Sequence, residues 1–108
     1  MTDLFTIGPM SRDGGVARIA FAGELDIAAT PVVYDYIDAC LLDQSVTGIV
    51  GDLANMTFVD SGGIRALLTC RHMAHDLGKT FRLINIQGGA KAVLDLTGVT
   101  PLLAVDPS

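Results

Sequence analysis

The segment that most constrains the fold is the central stretch in which a short apolar run leads through a serine–glycine joint into a helix-compatible segment. The run VTGIVGDL, from Val46 to Leu53, is suited to a β-strand that is covered on both faces of its sheet. The joint FVDSGG follows shortly after, and IRALL begins directly behind it. A buried strand that passes so quickly into a helix is typical of α/β proteins.

The residues before this stretch predict a hairpin and a helix. The segment VARIAFA, from Val16 to Ala22, reads as a strand, and Leu4–Ile7 is expected to pair with it across the turn SRDGG, whose Asp13-Gly14 step is a hairpin signal. Thr30 followed by Pro31 is typical of an N-cap and a first helical residue, and predicts a helix to about Leu42. Its expected apolar face consists of Val33, Ile37 and either Cys40 or Leu41.

The residues after the joint continue the alternation of helices and strands. A second helix is expected to end near Leu77, with Gly78 behind it. A strand follows over Thr80–Ile86, then a third helix from about Gly89 to Thr97, and LLAV near the C-terminus suits a short last strand. The predicted fold class is therefore α/β, a mixed, partly parallel sheet of four to five strands with helices packed on it, forming a single domain over residues 1–108.

Charge and cysteine content limit the class of partner. The chain has a formal net charge of -5, which disfavours nucleic acid as a ligand because phosphate backbones are bound by clustered Lys and Arg. Its two cysteines, Cys40 and Cys70, are too few for a disulfide scaffold and fit a reducing compartment. The N-terminal residues do not resemble a signal peptide, and no run approaches the length of a membrane span. A cytoplasmic globular domain without membrane attachment is expected.

The serine of the joint has two interpretations. Ser61 suits a simple N-cap of the helix behind it. Two glycines at a helix start, however, cost helix propensity and let another backbone or a bulky active site approach closely. The joint also lies at the carboxyl end of a strand, where open α/β sheets place ligands, and a helix N-terminus accepts phosphate readily. A phosphorylated Ser61 should therefore leave the fold intact and act on an interface, with Asp60 adding a second anion.

The helix behind the joint has a core face and a neighbouring apolar sector. The residues expected on the core face are Ala66, Leu67, Cys70, Met73, Ala74 and Leu77. Ile64 and Leu68 fall outside that face. They are interpreted either as ordinary residues at the rim of the core or as an exposed apolar patch beside Ser61 that docks a partner.

Three motifs in order resemble the STAS domain family, specifically its bacterial anti-sigma factor antagonists. GELD at Gly23–Asp26 resembles the family's segment before the first helix, and GDLANMTFVDSGGIRALL resembles its strand, loop and helix with the phosphorylated serine. LDLTGVTPLL, from Leu94 to Leu103, resembles its final helix and closing segment.

The resemblance implies a switchable binding protein. In its unphosphorylated form such a protein binds an anti-sigma factor that is also a serine kinase of the GHKL type, and so frees the sigma factor. The kinase phosphorylates the serine, and a phosphatase of the PP2C type restores it. By position, Ser61 matches the phosphoacceptor, Asp60 the aspartate before it, Gly63 the motif glycine, and Glu24, Leu25 and Asp26 a loop near the acceptor.

The proposed partner-binding set is therefore Glu24, Leu25, Asp26, Asp60, Gly62, Gly63, Ile64 and Leu68. Gly62 departs from the family, which often carries a second small hydroxyl residue there, so Ser61 is the only hydroxyl of the motif. Thr57, in the strand before it, is a weaker acceptor candidate.

Other functions fit the residues less well. A subunit of a transport or signalling complex that carries the same fold without phosphorylation is the alternative within the family. A hydrolase is disfavoured because DSGG is not a GxSxG elbow and because His72 and His75 lie further along the same helix. Cys70 with these histidines is better explained as a core cysteine and two surface histidines than as a metal site, and QGGAK lacks the phosphate-loop pattern. No catalytic residue, metal or cofactor is expected.

Overall fold

The computed structural model describes residues 5–87 and residue 91. The described elements are β1 (Thr6–Asp13), β2 (Val16–Leu25), a single 3₁₀ turn (Ile27–Ala29), α1 (Thr30–Leu41), β3 (Gly48–Val59), α2 (Ser61–Asp76) and β4 (Thr80–Ile84). The expected third helix and the expected strand at LLAV lie outside the described residues, apart from Lys91.

The four described strands form one sheet in the order β1-β2-β3-β4. The β1 and β2 strands are antiparallel, whereas β2 with β3 and β3 with β4 are parallel. The parallel pairs require crossover connections, which α1 and α2 supply. The mixed, partly parallel sheet with helices packed on it is the fold class that the sequence predicts.

The first three strands extend further along the chain than their sequence patterns indicate, whereas β4 ends at Ile84, two residues before the predicted end at Ile86. The β1 strand runs to Asp13, well past Ile7, so the hairpin closes over Gly14 and Gly15 with Asp13 paired to Val16. Gly14 has a φ of 60°, which explains the glycine at this turn. The β3 strand continues through Ala54 to Val59, because pairing with β2 holds a segment that has no regular alternation of its own.

A single hydrophobic core lies between the sheet and the two helices. On α1 the buried residues are Val33 and Ile37, as the sequence predicts, and both of the predicted alternatives, Cys40 and Leu41. They pack in one cluster with buried residues of all the parallel strands, among them Phe21, Leu53 and Phe81. The expectation that β3 is covered on both faces is wrong, since Val50 and Asp52 on its other face are only half-buried and Ala54 is exposed.

The prediction of Thr30 as an N-cap is wrong. Thr30 is the first residue of α1, and Ala29 occupies the cap position without a side-chain hydrogen bond. The Asp26 carboxylate instead caps the preceding 3₁₀ turn by accepting from the Ala29 amide at 3.1 Å. The 3₁₀ turn therefore moves the capping signal four residues upstream of the threonine.

The sheet face opposite the helices carries a small polar network around Asp52. Its carboxylate accepts from the Arg18 guanidinium at 2.8 Å, from the Asn85 side-chain amide at 2.9 Å and from the Ala54 backbone amide at 3.0 Å. Partial burial alone would raise the pKa of Asp52. The hydrogen bonds from Arg18, Asn85 and Ala54 outweigh it and hold that pKa below its usual value.

We expect Asp52 to stabilise the fold in a pH-dependent way. Because its pKa is lowered on folding, its contribution is complete above the usual carboxyl range near pH ~4 and is lost as the pH falls further. Asp52→Asn should lower the free energy of unfolding by about 1 kcal/mol at pH 7, a modest value because Arg18 is half-exposed. Urea unfolding of both proteins at pH 7 and pH 3.5 measures the difference, which should shrink at the lower pH. A constant difference would contradict an electrostatic role.

Candidate functional site

Ser61 is the first residue of α2 and lies immediately beyond the carboxyl end of β3. The carboxyl end of β2 lies beside it, since Glu24 pairs with Phe58 and Leu25 with Val59 in the parallel register. The loop that contains Asp26 therefore leaves the sheet next to the joint. The resemblance implies that the GELD segment lies near the acceptor, and this register brings the two together.

The cap of α2 is Asp60. Its backbone is extended, with a φ of -108°, and its carboxylate accepts from the Gly63 amide at 2.9 Å. Its own carbonyl accepts from the Ile64 amide at 2.9 Å. The interpretation of Ser61 as an N-cap is therefore wrong. The Ser61 side chain is exposed at the first helical position, where capping does not use its hydroxyl.

The two glycines behind Ser61 are required by the chain's own packing. A β-carbon on Gly63 would collide with the Leu25 carbonyl oxygen and would lie 2.7 Å from Cγ2 of Val59. A β-carbon on Gly62 would lie 2.9 Å from the Cβ atom and 3.2 Å from the backbone nitrogen of Ile27. Of the two predicted reasons for glycine, close approach of another backbone is the one that the structure supports.

The packing of Ile27 against Gly62 also gives a reason for the departure from the family pattern at this position. A serine or threonine there would bring its β-carbon against Ile27, so the 3₁₀ turn would have to move away from α2. In this chain the tight packing of that turn favours glycine over a second hydroxyl residue. Ser61 is consequently the hydroxyl that the joint itself presents.

Two apolar side chains of the predicted partner-binding set are buried. Ile64 is only 6% exposed and belongs to the hydrophobic core, so it is not part of an exposed apolar patch beside Ser61. Leu25 is fully buried, and it contributes its carbonyl, which accepts from the Asp60 amide at 3.3 Å. Leu25 is the last residue of β2 and continues the buried side of that strand, and Ile64 packs into the same core cluster from α2.

The remaining predicted residues surround the joint. Glu24, Asp26 and Asp60 are half-buried carboxylates, and the last two also cap helical turns. Leu68 is half-buried against the core. Leu77, expected in the core, is 52% exposed because α2 ends before it, and Met73 is half-buried.

Sequence reasoning missed the most exposed large apolar side chain among the described residues. Ile27 is 75% exposed and contacts the joint at Gly62. Its signal lay in the sequence, because an isoleucine directly after GELD falls between a buried strand end and a helix start. Phe58, which precedes the joint, is also apolar and exposed. Because it alternates with buried Val59, it lies with Glu24 on the sheet face opposite the helices.

The geometry separates Ser61 from the chemically reactive residues of α2. His72 lies eleven residues further along the helix, which corresponds to about 16 Å of rise. Both histidines are exposed, and His72 lies 3.6 Å from Asp76. Cys70 is fully buried, and burial raises the pKa of its thiol to about 12. A core cysteine beside surface histidines is the arrangement that the sequence predicts.

The fold and the joint define a STAS domain, and the chain belongs to the STAS domain family, whose model matches residues 9–108. Within the family, an anti-sigma F factor antagonist of Paenibacillus polymyxa is 31% identical over 87 residues, which are 81% of this chain and 66% of that protein. The chain thus spans about two thirds of this curated relative.

Solved structures share the fold at low identity. The anti-sigma factor antagonist SpoIIAA in its unphosphorylated form matches with a TM-score of 0.75 and 21% identity, over 97% of this chain and 88% of that chain. The phosphorylated form of this Bacillus cell fate determinant matches with a TM-score of 0.68 and 20% identity, over 97% of this chain and 91% of that chain. Murine Slc26a9, an anion transporter, matches with a TM-score of 0.71 and 22% identity, over 84% of this chain but only 15% of its own.

No helix in the described part of the chain combines the length and the apolar character that crossing a bilayer requires.

Proposed function

We propose that the chain is an anti-sigma factor antagonist that is switched off by phosphorylation of Ser61. The observation that carries this proposal is that the helix cap and the exposed hydroxyl at the start of α2 belong to two different residues. Asp60 caps the helix, so the exposed Ser61 hydroxyl has no capping role and is available as an acceptor. The similarity to an anti-sigma F factor antagonist of Paenibacillus polymyxa supports the same role.

The proposed partner is an anti-sigma factor that is also a serine kinase of the GHKL type. It transfers the γ-phosphoryl group of ATP to Oγ of Ser61, with the hydroxyl proton passing to a base on the kinase and ADP as the leaving group. A phosphatase of the PP2C type hydrolyses the ester and returns the hydroxyl. The antagonist supplies no catalytic group and acts as a cytoplasmic binding protein.

A phosphate on Ser61 is compatible with the fold. The group adds about -1.5 to -2 charges, and the N-terminus of α2 carries partial positive charge that favours an anion. The side chain is exposed, so the dianion remains hydrated in the free protein. Phosphorylation therefore has little effect on folding and a large effect wherever a partner removes that hydration.

The capped geometry also concentrates negative charge at the joint. The Asp60 carboxylate is held by the Gly63 amide and cannot turn away from its neighbour without losing the cap. A phosphate beside it creates a patch of two anions on consecutive residues. A kinase that holds nucleotide phosphates at its own active site would meet this patch with like charge.

The acceptor assignment is tested by intact mass. Wild-type protein is incubated with ATP and each purified GHKL-type serine kinase of the source genome, and one phosphate adduct is expected with the cognate kinase. Ser61→Ala should give no adduct, because the acceptor oxygen is absent, whereas Thr57→Ala should be phosphorylated like the wild type. An adduct that persists on Ser61→Ala, or none on the wild type with active kinases, would refute the proposal.

The alternative is a STAS subunit that binds a transport or signalling complex without phosphorylation. The shared fold of the STAS region of murine Slc26a9 favours keeping this candidate. It predicts that the chain copurifies with a membrane protein, that this association is the same for wild type and Ser61→Ala, and that no kinase of the panel modifies it.

A further inference from the structure

We infer that Ile27 is the apolar anchor through which this chain engages its anti-sigma kinase, and that the partner offers an apolar pocket bordered by basic side chains. The inference rests on the proposed function and adds a residue, a contact chemistry and a reason for the effect of phosphate. It begins from the exposure of Ile27, which is 75%, whereas Leu25 and Ala29 on either side are buried.

The anchor is held in place before any partner binds. Ile27 is the first residue of the 3₁₀ turn. The Ala29 backbone amide closes this turn by donating hydrogen bonds to the Asp26 carboxylate and to the Asp26 carbonyl, each at 3.1 Å. Its backbone and Cβ atom pack against Gly62. A large apolar side chain on a fixed backbone loses little freedom on binding, which is the property of residues that dominate interfaces.

The position of Ile27 makes contact with the kinase unavoidable. Ile27 touches Gly62, and Gly62 is bonded to the acceptor residue Ser61. A kinase that places its nucleotide within reach of Oγ of Ser61 must therefore cover the 3₁₀ turn as well. The anchor and the acceptor belong to one surface and not to two.

The surrounding charge defines the rim of the pocket. Within residues 23–29 and 58–65, two acidic residues, Asp26 and Asp60, and one basic residue, Arg65, lie on the side of the joint, since Glu24 lies on the opposite sheet face. Two minus one gives a local excess of one negative charge. Complementarity then requires a basic border around the apolar pocket of the partner.

An apolar pocket beside the acceptor also explains why phosphate weakens binding to a partner with a basic border. The phosphate group would lie next to the pocket that receives Ile27, where it must give up water without gaining a matched set of donors. Attraction by the border acts at longer range and is screened by salt. The dehydration cost therefore depends on how tightly Ile27 draws the two surfaces together.

The test compares Ile27→Ala with a matched control, Leu42→Ala. Leu42 is 68% exposed but lies at the opposite end of α1, away from the joint. Dissociation constants are measured by calorimetry with ADP and the purified GHKL-type kinases of the source genome, at two salt concentrations. Ile27→Ala should weaken binding about 10- to 100-fold, as truncation of an interface anchor does, and Leu42→Ala should change it less than about twofold.

Further variants and unfolding measurements distinguish the loss of a partner contact from a loss of folding. Ile27→Thr preserves the branched β-carbon that packs on Gly62 and replaces the ethyl group of the side chain by a hydroxyl, so it should give an intermediate loss of affinity. Urea unfolding of all variants should match the wild type, because the truncated atoms are exposed. In the Ile27→Ala background, Ser61→Glu should weaken binding by a smaller factor than in the wild type.

The possible results separate the two proposals. Equal affinities of wild type and Ile27→Ala for the kinase that phosphorylates Ser61 would overturn the anchor and leave the switch intact. Equal losses for Ile27→Ala and Leu42→Ala would also overturn it. Wild-type protein that binds none of the kinases would refute the proposed function itself and the anchor with it.

Discussion

Ser61→Glu is expected to weaken binding to the anti-sigma kinase about 100-fold, or about 2.7 kcal/mol, while the free energy of unfolding stays within about 0.5 kcal/mol of the wild type. Glutamate at the first position of α2 is favourable for the helix, since an acidic side chain there interacts with the positive end of the helix dipole. The side chain points to solvent, and Asp60 keeps the cap. The effect therefore falls on the interface.

The control for this variant is Gln44→Glu. It makes the same change in net charge at an exposed residue near the amino end of β3, whereas Ser61 lies beyond its carboxyl end. Affinities from calorimetry and unfolding curves in urea are measured for both variants. An unfolded Ser61→Glu would show that the joint is structural, and equal losses of affinity in the two variants would show that net charge, not position, governs binding.

Gly63→Ala is expected to destabilise the protein by about 3 kcal/mol or more, although alanine is normally the better helix former by about 1 kcal/mol. The added β-carbon would occupy the space of the Leu25 carbonyl oxygen and press on Val59. The obstacle includes backbone, which cannot turn aside as the end of a flexible side chain can. For a domain of this size the melting temperature should fall by about 12–24 °C.

Gly78→Ala separates steric overlap from backbone strain. Gly78 has no atom within 4 Å of an added β-carbon, but its φ is 71°, a conformation that is costly for alanine. Its substitution should cost about 1–2 kcal/mol. The melting temperatures of the two variants are compared by calorimetry. A Gly63→Ala protein as stable as Gly78→Ala would contradict the close contact between α2 and the end of β2.

The helices show how far an apolar pattern can be read. On α1 the pattern predicts Val33 and Ile37 and offers Cys40 or Leu41, both of which are buried, because one face of the helix lies on the sheet. On α2 the pattern fails at both ends. Ile64 is buried in the core and Leu77 is exposed beyond the helix end, and the residues of α2 by themselves indicate neither outcome.

The candidate site divides in the same way. Ser61 as the proposed acceptor and Asp60 beside it follow from the order of residues, since a strand, a small hydroxyl residue and a helix determine where the chain turns. The capping role passes from the serine to the aspartate because the extended backbone at Asp60 directs its carboxylate to the Gly63 amide. That choice depends on backbone angles and not on residue type, as both residues are good caps.

The sequence by itself determined the alternation of strands and helices, the class of sheet and the position of the joint, because these depend on local apolar periodicity and on turn residues. Only the tertiary structure decided which side chains the joint exposes. The parallel pairing of β2 with β3 brings the end of β2 and the loop after it onto the first turn of α2, which requires Gly62 and Gly63 and leaves Ile27 in solvent. Contacts between segments more than thirty residues apart have no signature in either segment alone, so only the tertiary structure determines the surface around Ser61.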